Sequence, residues 1–496
     1  MRTCLTCAPL FIATMISSLF LASALTLSGV IQTDNGKGVK GIPVSNGDTI
    51  VMTDGKGRYS LPIIEDMSIF PVLDGNWKMQ SQSKVGNSAF PFYGQDAQCP
   101  SKVDFIIKRC PLNKNFTINA IGDVQVGDIQ ELDYASRTLW PELMADSLAA
   151  LNLWLGDIVN NNISLFPRMR SMMEMLPVTS WTMVGNHDRD VDSIRTRQVT
   201  SFGRDFGAPT YAFTEGNVTF IVLNNVYGDG TRSYKGKLDD RQLRFVANLM
   251  KILPQDRRIV LTAHIPFAYM SNKEDLLNIL KGRGDILALT GHMHAVSRNF
   301  MHGEGITIHE LVGGATCGFW WVGEKDWEGI PSALMQCGTP KGYFRVNFTP
   351  KDYTFTYKPT SLDDNRQASI WISGIDPIQS DIPDLKDIEK GDVLITVYGG
   401  CDSTKVEAVV DNTLKLSATK EKMMDPNVAR IRELNKLKVY PTKYSRRNPF
   451  RHTASPQVWR LHLPVTHHDG THRIDITATD PYGLRCRGSR AFSYPN

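Results

Sequence analysis

The stretch Leu289-Thr-Gly-His-Met-His294 decides how this chain is interpreted. It overlaps the end of an apolar run at residues 285–290, which predicts a buried strand with two histidines where the strand ends. Alternate residues of an extended segment face the same side, so His292 and His294 can direct two imidazoles at one point. A single His-x-His pair is also typical of a polar loop. A functional role for this pair is favoured because four earlier clusters follow the same pattern, in which an apolar run is followed by polar side chains.

Five apolar runs end in side chains that can bind a metal. The runs and the clusters after them are 117–121 with Gly122-Asp123-Val124-Gln125, 151–155 with Gly156-Asp157, 181–184 with Gly185-Asn186-His187-Asp188, 258–263 with His264-Ile265-Pro266, and 286–289 with Gly291-His292-Met293-His294. In open α/β sheets, ligands bind at the carboxyl ends of the strands. A mixed set of Asp, Asn and His suits Mn²⁺, Fe, Zn²⁺ or Co²⁺ better than Ca²⁺ or a thiolate-bound ion. Six or more such residues fit two ions that share a carboxylate, about 3.5–4 Å apart.

Each cluster taken singly also has a purely structural interpretation. Asp123 or Asp157 can cap a helix, and His264 can be a hydrogen-bonded core histidine. Residues 186–188 can form a polar turn. The metal hypothesis is favoured because all five clusters follow strands in one order.

The ordered motifs Gly-Asp-x-Gln, Gly-Asp, Gly-Asn-His-Asp, Ala-His-x-Pro and Gly-His-x-His resemble the calcineurin-like metallophosphoesterase superfamily. The resemblance covers about residues 115–355, and the tandem layout is similar to an exported bacterial subgroup with N-terminal and C-terminal β domains. It implies an α/β (α+β) core of two packed β-sheets flanked by helices. It also implies two divalent metal ions as cofactors, and hydrolysis of phosphate monoesters or diesters by a hydroxide that bridges them.

The resemblance also implies roles for individual residues. Asp123, Asp157 and His294 would bind one ion, and Asp157, Asn186, His264 and His292 would bind the other, with Asp157 bridging. His187 would protonate the leaving group or stabilise the transition state, oriented by Asp188. Gln125 stands where the first motif usually has a histidine, so ligation through its carbonyl oxygen or only through water stays open.

The Gly- and Trp-rich segment 313–321 follows the last ligand motif. Trp320 and Trp321 are candidates for stacking on a sugar or base of the substrate, or alternatively pack between domains. Arg189, beside the Asn-His-Asp motif, is a candidate contact for a substrate phosphate, or alternatively a surface ion pair.

The chain is expected to divide into four parts. Residues 1–24 have the pattern of a signal peptide, with Arg2, an apolar stretch and Ala22-Ser-Ala24 as the cleavage site. An uncleaved anchor is the alternative, and export to the periplasm or the extracellular space is the expected localisation. A β-sandwich-like module is predicted at 25–110, a phosphoesterase domain at 111–360 and a β-rich domain at 365–496.

Three helices are predicted in the central region, at 132–152 with an interruption at Pro141, at 163–176 and at 239–253, the last with a plausible cap. Further along, His467, His468 and His472 flank an Asp-Gly turn, which favours an exposed hairpin over a metal site. Disulfide connectivity cannot be derived for the six cysteines beyond the predicted cleavage site, which are Cys99, Cys110, Cys317, Cys337, Cys401 and Cys486.

The composition limits the classes of partner that are expected for this chain. The chain is 42% hydrophobic and 21% charged, with a formal net charge of +4 spread along its length. We therefore expect a phosphate-ester substrate, no nucleic-acid partner and no stable membrane insertion after signal cleavage, and the oligomeric state is left open. The rival hypothesis is a non-catalytic exported glycan-binding protein with a vestigial phosphoesterase scaffold, which only Gln125 favours.

Overall fold

The computed structural model describes residues 25–94, 98–376, 382–385, 387–439 and 447–494. The predicted signal segment 1–24 lies outside the described residues. A mixed α/β core stands between two β-rich regions, which confirms the predicted fold class.

The N-terminal region folds into small sheets that pack face to face. The principal sheets have the strand orders β4-β1-β9-β7 and β3-β2-β6, and β5 pairs with β8. The strands are β1 (Thr26–Gln32), β2 (Pro43–Ser45), β3 (Ile50–Met52), β4 (Arg58–Pro62), β5 (Met67–Ser68), β6 (Phe70–Pro71), β7 (Trp77–Met79), β8 (Phe92–Tyr93) and β9 (Phe105–Arg109). Their core is separate from that of the rest of the chain, although Phe70 and Phe90 extend into the central core. Arg244 of the central region pairs with Asp48 at 2.8 Å across the boundary.

Two large sheets and the small antiparallel sheet β15-β16 form the central region. The first has the order β12-β11-β10-β21-β22 and the second the order β13-β14-β17-β18-β20-β19. The strands are β10 (Phe116–Ile121), β11 (Ala149–Trp154), β12 (Thr179–Thr182), β13 (Tyr211–Glu215), β14 (Val218–Val222), β15 (Val226–Gly228), β16 (Tyr234–Gly236), β17 (Arg258–Thr262), β18 (Gly284–Thr290), β19 (Val296–Gly303), β20 (Ile306–Gly313), β21 (Gly342–Phe348) and β22 (Tyr353–Pro359). The helices are α1 (Ile129–Ala145), α2 (Phe166–Glu174), α3 (Thr200–Phe206), α4 (Asp240–Ile252) and α5 (Lys273–Ile279).

The strands that precede the candidate ligands run parallel. In the first sheet β10 pairs with β11 and β11 with β12, and in the second β17 pairs with β18, all in parallel. The carboxyl ends of each group therefore meet at one edge of their sheet. Strand residues such as Leu153, Leu261 and Leu289 are fully buried, as expected for parallel strands covered on both faces.

The helix predictions need two corrections. The first helix ends at Ala145, and Ala149–Trp154 is a strand instead of the helix end predicted to residue 152. Pro141 does not interrupt this helix, because the buried side chains Leu139, Trp140 and Leu143 hold it against the core despite the missing N–H. The cap of α4 is confirmed, since the Asp239 carboxylate accepts a hydrogen bond from the backbone N–H of Gln242 at 2.9 Å.

The C-terminal region is a rolled sheet with the order β23-β24-β27-β26-β25-β28-β29. The elements are β23 (Ala368–Ile372), β24 (Asp392–Val397), β25 (Lys405–Val410), β26 (Leu414–Glu421), α6 (Pro426–Lys436), β27 (Val458–His462), β28 (Gly470–Thr479) and β29 (Arg485–Tyr494). Its first and last strands touch, since Arg490 donates to the Ile370 carbonyl at 2.7 Å. The helix α6 lies between β26 and β27, and residues 440–446 are outside the described part. Each of the six cysteines beyond residue 25 is a free thiol.

A buried ion pair joins the central and C-terminal regions. Arg298 of β19 pairs with Asp480 after β28, and both side chains are fully shielded from solvent. The guanidinium also lies over the rings of Phe355 and Tyr482. Among the described residues, no helix combines the length and the apolar character that crossing a bilayer requires.

We predict that Arg298→Ala destabilises the protein by about 3–5 kcal/mol, because it leaves the Asp480 carboxylate buried without its cation. Urea-induced unfolding measures the change. The matched control is Lys281→Ala, which removes the exposed Lys281–Glu304 pair and should cost less than about 1 kcal/mol. Equal destabilisation by the two substitutions would contradict the prediction.

Candidate metal centre

The two central sheets direct their carboxyl edges at one another. The first sheet supplies Asp123 after β10, Asp157 after β11 and Asn186 after β12. The second supplies His264 after β17 and the pair His292 and His294 after β18. The structure thus brings together side chains that are up to 171 residues apart in sequence (294 − 123).

The backbone at these positions is strained. A positive φ is uncommon for residues other than glycine and costs about 1–3 kcal/mol where it is held in place. It occurs at five of the candidate ligands, namely Asp123 (38°), Gln125 (44°), Asp157 (50°), His292 (74°) and His294 (47°). These left-handed turns follow β10, β11 and β18 and direct the side chains into the space between the sheets. Such repeated strain at one site indicates a functional constraint.

Glycines make the close approach of these turns possible. A Cβ on Gly185 would lie 2.1 Å from Asp157 Oδ1, and a Cβ on Gly291 would lie 2.6 Å from Asp123 Oδ2. At Gly156 (φ 87°) it would meet the His264 ring at 2.7 Å. These three glycines therefore leave room for the ligands of other loops.

Four donor atoms surround one point beside His264. Its Nε2 lies 3.3 Å from Asp157 Oδ2, 3.0 Å from Asn186 Oδ1 and 3.2 Å from His292 Nδ1. Two ligands bound at about 2.0–2.2 Å to the same ion stand about 3 Å apart, so these separations match those of a shared cation.

Hydrogen bonding fixes the tautomer of His264. Its Nδ1 lies 2.8 Å from the Leu155 carbonyl oxygen, so Nδ1 carries the proton that it donates there. In the neutral ring Nε2 is then an acceptor, facing the carboxylate of Asp157 and the carbonyl oxygen of Asn186. Acceptors facing one another need a positive charge between them, which can be a proton or a metal ion. An imidazole held by a carbonyl in this way is typical of a metal ligand.

A second group of candidate ligands lies around Asp123. Its carboxylate accepts from the backbone N–H of His292 at 2.9 Å and lies 3.8 Å from His294 Nε2. The Nδ1 of His294 donates to the Gly318 carbonyl at 2.7 Å, which leaves Nε2 as the acceptor directed at Asp123. Gln125 is buried here, with its Oε1 3.8 Å from the Cys317 sulfur, and its Nε2 has no hydrogen-bond partner among the described residues.

Burial and neighbouring charges shift the pKa values of the titratable groups in the centre. Burial and the neighbouring Asp157 raise the pKa of Asp123 well above its usual range, against the opposing effect of His264. Burial lowers the pKa of His264, but the adjacent Asp157 outweighs it and raises that pKa to about 9. Burial and the charge of His264 lower the pKa of His292 to about 4, so its ring is neutral near pH 7 and free to bind a metal.

His187 and Asp188 have separate environments. The backbone N–H of His187 donates to Asp157 Oδ1 at 2.8 Å, and its buried Nδ1 has no partner among the described residues. The Asp188 carboxylate accepts from the backbone N–H groups of Ile158, Val159 and Gly185. The expectation that Asp188 orients the His187 ring is therefore not met, because its oxygens hold the loop after β11 against the loop after β12.

The candidate substrate contacts differ in exposure. Trp321 is 4% exposed and its Nε1 donates to the Val124 carbonyl, so it packs within the central core and neither faces a substrate nor lies between domains. Trp320 is 38% exposed and stacks on His294 with 4.4 Å between ring centroids. The guanidinium of Arg189 donates to the Asn186 carbonyl and to Gln198 Oε1, so it supports the ligand loop.

Sequence reasoning missed the groups that orient the ligands. The carbonyls of Leu155 and Gly318 and the thiol of Cys317 carry no pattern of their own, although Gly318 and Cys317 lie in the segment singled out for substrate contacts. Tyr234 was also missed, and its ring lies edge-on to His292 at 6.1 Å. The donor set of carboxylates, amide oxygen and imidazoles fits divalent cations of the Mn, Fe, Zn or Co type.

We predict that Gly185→Ala weakens metal binding by about 10- to 100-fold, because the new methyl group displaces Asp157. Metal retained per chain after dialysis measures the effect. Gly55→Ala is the control, since a Cβ there meets nothing within 4 Å. Retention of metal by Gly185→Ala at the level of this control would show that the centre does not depend on the packing of these loops.

The chain matches two models of a known protein family. The family model described as calcineurin-like phosphoesterase matches residues 116–296, and the model for the C terminal of calcineurin-like phosphoesterase matches residues 310–485. The structure of a purple acid phosphatase isolated from yellow lupin (Lupinus luteus) seeds aligns with 64% of this chain and 67% of that chain, at 12% identity and a TM-score of 0.33. No curated protein matches the chain in sequence. The two family matches together cover more than half of the chain, which belongs to the calcineurin-like phosphoesterase family.

Proposed function

We propose that the protein hydrolyses phosphate esters, either monoesters or diesters, with two divalent metal ions bound between the central sheets. The family is one of metal-dependent phosphoester hydrolases, and Asp157, His264 and His292 form a group able to hold an ion. The observation that carries the proposal is the cluster of acceptors around His264 Nε2, whose tautomer the Leu155 carbonyl fixes. Such a cluster is stable only around positive charge.

The ligands divide into two groups in this proposal. Asp123 and His294, with Gln125 nearby, would hold one ion, Asn186, His264 and His292 would hold the other, and the Asp157 carboxylate would serve both. When bound, such a pair of ions lowers the pKa of water towards neutrality and neutralises charge on the phosphoryl oxygens. The protein's own contribution is to hold these ligands rigidly, through the strained turns and the carbonyl hydrogen bonds.

His187 is the residue we propose as proton donor to the leaving oxygen. Its backbone N–H is tied to Asp157, so the imidazole stays beside the shared carboxylate. Its Nδ1 makes no hydrogen bond with any described residue, which leaves it free to act on a substrate. Burial lowers the pKa of this ring, and a phosphate dianion bound beside it favours the protonated form again.

We propose Trp320 as the aromatic surface that meets the leaving group, because it is the exposed member of the tryptophan pair and stacks on His294. Trp321 and Arg189 have structural roles in this proposal, because they hydrogen-bond the Val124 and Asn186 carbonyls beside the candidate ligands. We further propose that the enzyme acts outside the cytoplasm, and the signal-like pattern of residues 1–24 supports this.

We predict that His187→Ala lowers kcat about 10²- to 10⁴-fold on an alkyl phosphate, whose leaving group needs a proton. The loss should be much smaller on p-nitrophenyl phosphate, whose leaving group is a weak base. Metal content, measured in parallel, should stay at the wild-type level. Equal losses on the two substrates would exclude proton donation by His187.

The same assays separate the enzyme from the glycan-binding alternative. Wild-type protein that carries two metal ions per chain and hydrolyses neither monoesters nor diesters would favour the vestigial scaffold. His264→Ala serves as the reference for a broken centre, because it removes the nitrogen around which the donor atoms gather.

We predict that Gln125→His increases retention of metal by about tenfold or more, because imidazole is a stronger ligand than a neutral carboxamide. Competition with a chelator of known affinity measures the change. Gln125→Asn, which keeps the carboxamide and shortens the side chain, is the matched control. Equal affinity of Gln125→His and the wild type would place Gln125 outside the coordination sphere.

A further inference from the structure

A group of metal-binding side chains lies in the C-terminal region, in a part of the fold separate from the Asp157 centre. Asp411 follows β25, His467 lies between β27 and β28, and His472 is on β28. One ligand atom from each lies within 4.8 Å of the other two. The sequence alone favoured an exposed hairpin for these histidines, but the third member comes from a turn 56 residues earlier (467 − 411), which no local pattern indicates.

The hydrogen bonds of His472 show the same conflict as those of His264. Its Nε2 lies 2.6 Å from the Asp469 carbonyl oxygen, and its Nδ1 lies 2.7 Å from Asp411 Oδ2. Both ring nitrogens thus face acceptors, although a neutral imidazole has only one N–H. A positive charge must therefore lie between Nδ1 and the carboxylate, either as a proton or as a metal ion.

His467 is placed to share that charge. Its Nδ1 lies 3.0 Å from the Thr466 hydroxyl, which can fix the ring and leave Nε2 as a ligand. Its ring centroid is 5.0 Å from that of His472. A proton on His472 serves only its pair with Asp411, whereas a metal ion can bind both rings.

Asp411 is held firmly on the other side. Its Oδ1 accepts from the backbone N–H of Arg473 at 2.9 Å, and its own backbone N–H donates to the Arg473 carbonyl at 2.9 Å. Two ligands of a tetrahedral Zn²⁺ stand about 3.3 Å apart, given bonds of about 2.0–2.1 Å. Binding of such an ion requires side-chain rotations of His467 and His472, which both lie in partly exposed positions.

We propose that Asp411, His467 and His472 bind a divalent transition-metal ion of the Zn²⁺ class, independently of the phosphoesterase centre. Two imidazoles and one carboxylate suit Zn²⁺, Cu²⁺ or Ni²⁺ and discriminate against Mg²⁺ and Ca²⁺. The ion would tie the turn after β25 to the loop between β27 and β28. It would therefore act as a clip that stabilises the rolled sheet.

Zinc titration of the full chain tests the proposal. Protein stripped with a chelator is titrated with ZnCl₂ by calorimetry, and bound zinc per chain is counted by mass spectrometry. His467→Ala and Asp411→Asn should each bind one zinc fewer than the wild type. The control is His302→Ala, which removes an exposed histidine of β19 and should leave the count unchanged.

Two further readouts keep the test independent of the phosphoesterase centre. Zinc should raise the midpoint of thermal unfolding more in the wild type than in His467→Ala, and phosphate-ester hydrolysis should be the same in both. An unchanged zinc count in His467→Ala and Asp411→Asn, or an equal loss in His302→Ala, would overturn the proposal. Failure of the phosphoesterase function would instead appear as absent hydrolysis with the difference in zinc count retained.

Discussion

The hydrogen bond from His264 Nδ1 to the Leu155 carbonyl is the interaction on which the rest of the centre depends. It fixes one tautomer and leaves Nε2 as an acceptor among the oxygens of Asp157 and Asn186. Acceptors buried together and without positive charge cost several kcal/mol. A divalent ion resolves this conflict and uses every member of the cluster at once. The carbonyl that fixes His264 belongs to Leu155, directly after β11 of the first sheet, so the bond also links the two sheets.

Backbone strain is concentrated at the edge of the two central sheets where the candidate ligands lie. Parallel strands with fully buried side chains form a rigid base, and left-handed turns follow directly after β10, β11 and β18. Asp123 illustrates the arrangement, because its positive φ directs the carboxylate to the backbone N–H of His292 on the opposite sheet. The Asp188 carboxylate holds the loops after β11 and β12 together by accepting hydrogen bonds from backbone N–H groups of both. The strain is sustained by contacts between loops that no single loop makes alone.

Much of this arrangement can be predicted from sequence, because polar residues after apolar runs mark the ends of parallel strands. The positions of Asp157 and His264 in one cluster follow from that pattern, and the cap of α4 follows from an Asp at the start of an amphipathic segment. Contacts between segments that are distant in the sequence cannot be predicted in this way. The hydrogen bonds of Asp188 to backbone N–H groups, the burial of Trp321 and the approach of Asp411 to His472 depend on packing between distant segments. The continuation of α1 through Pro141 likewise reflects tertiary contacts that outweigh local propensity.

Anomalous diffraction from crystals grown with Mn²⁺ tests the central claim most directly. The account predicts two peaks about 3.5–4 Å apart, both within bonding distance of Asp157 and one of them also bonded to His264. A single peak, or peaks that leave Asp157 without a metal contact, would contradict it.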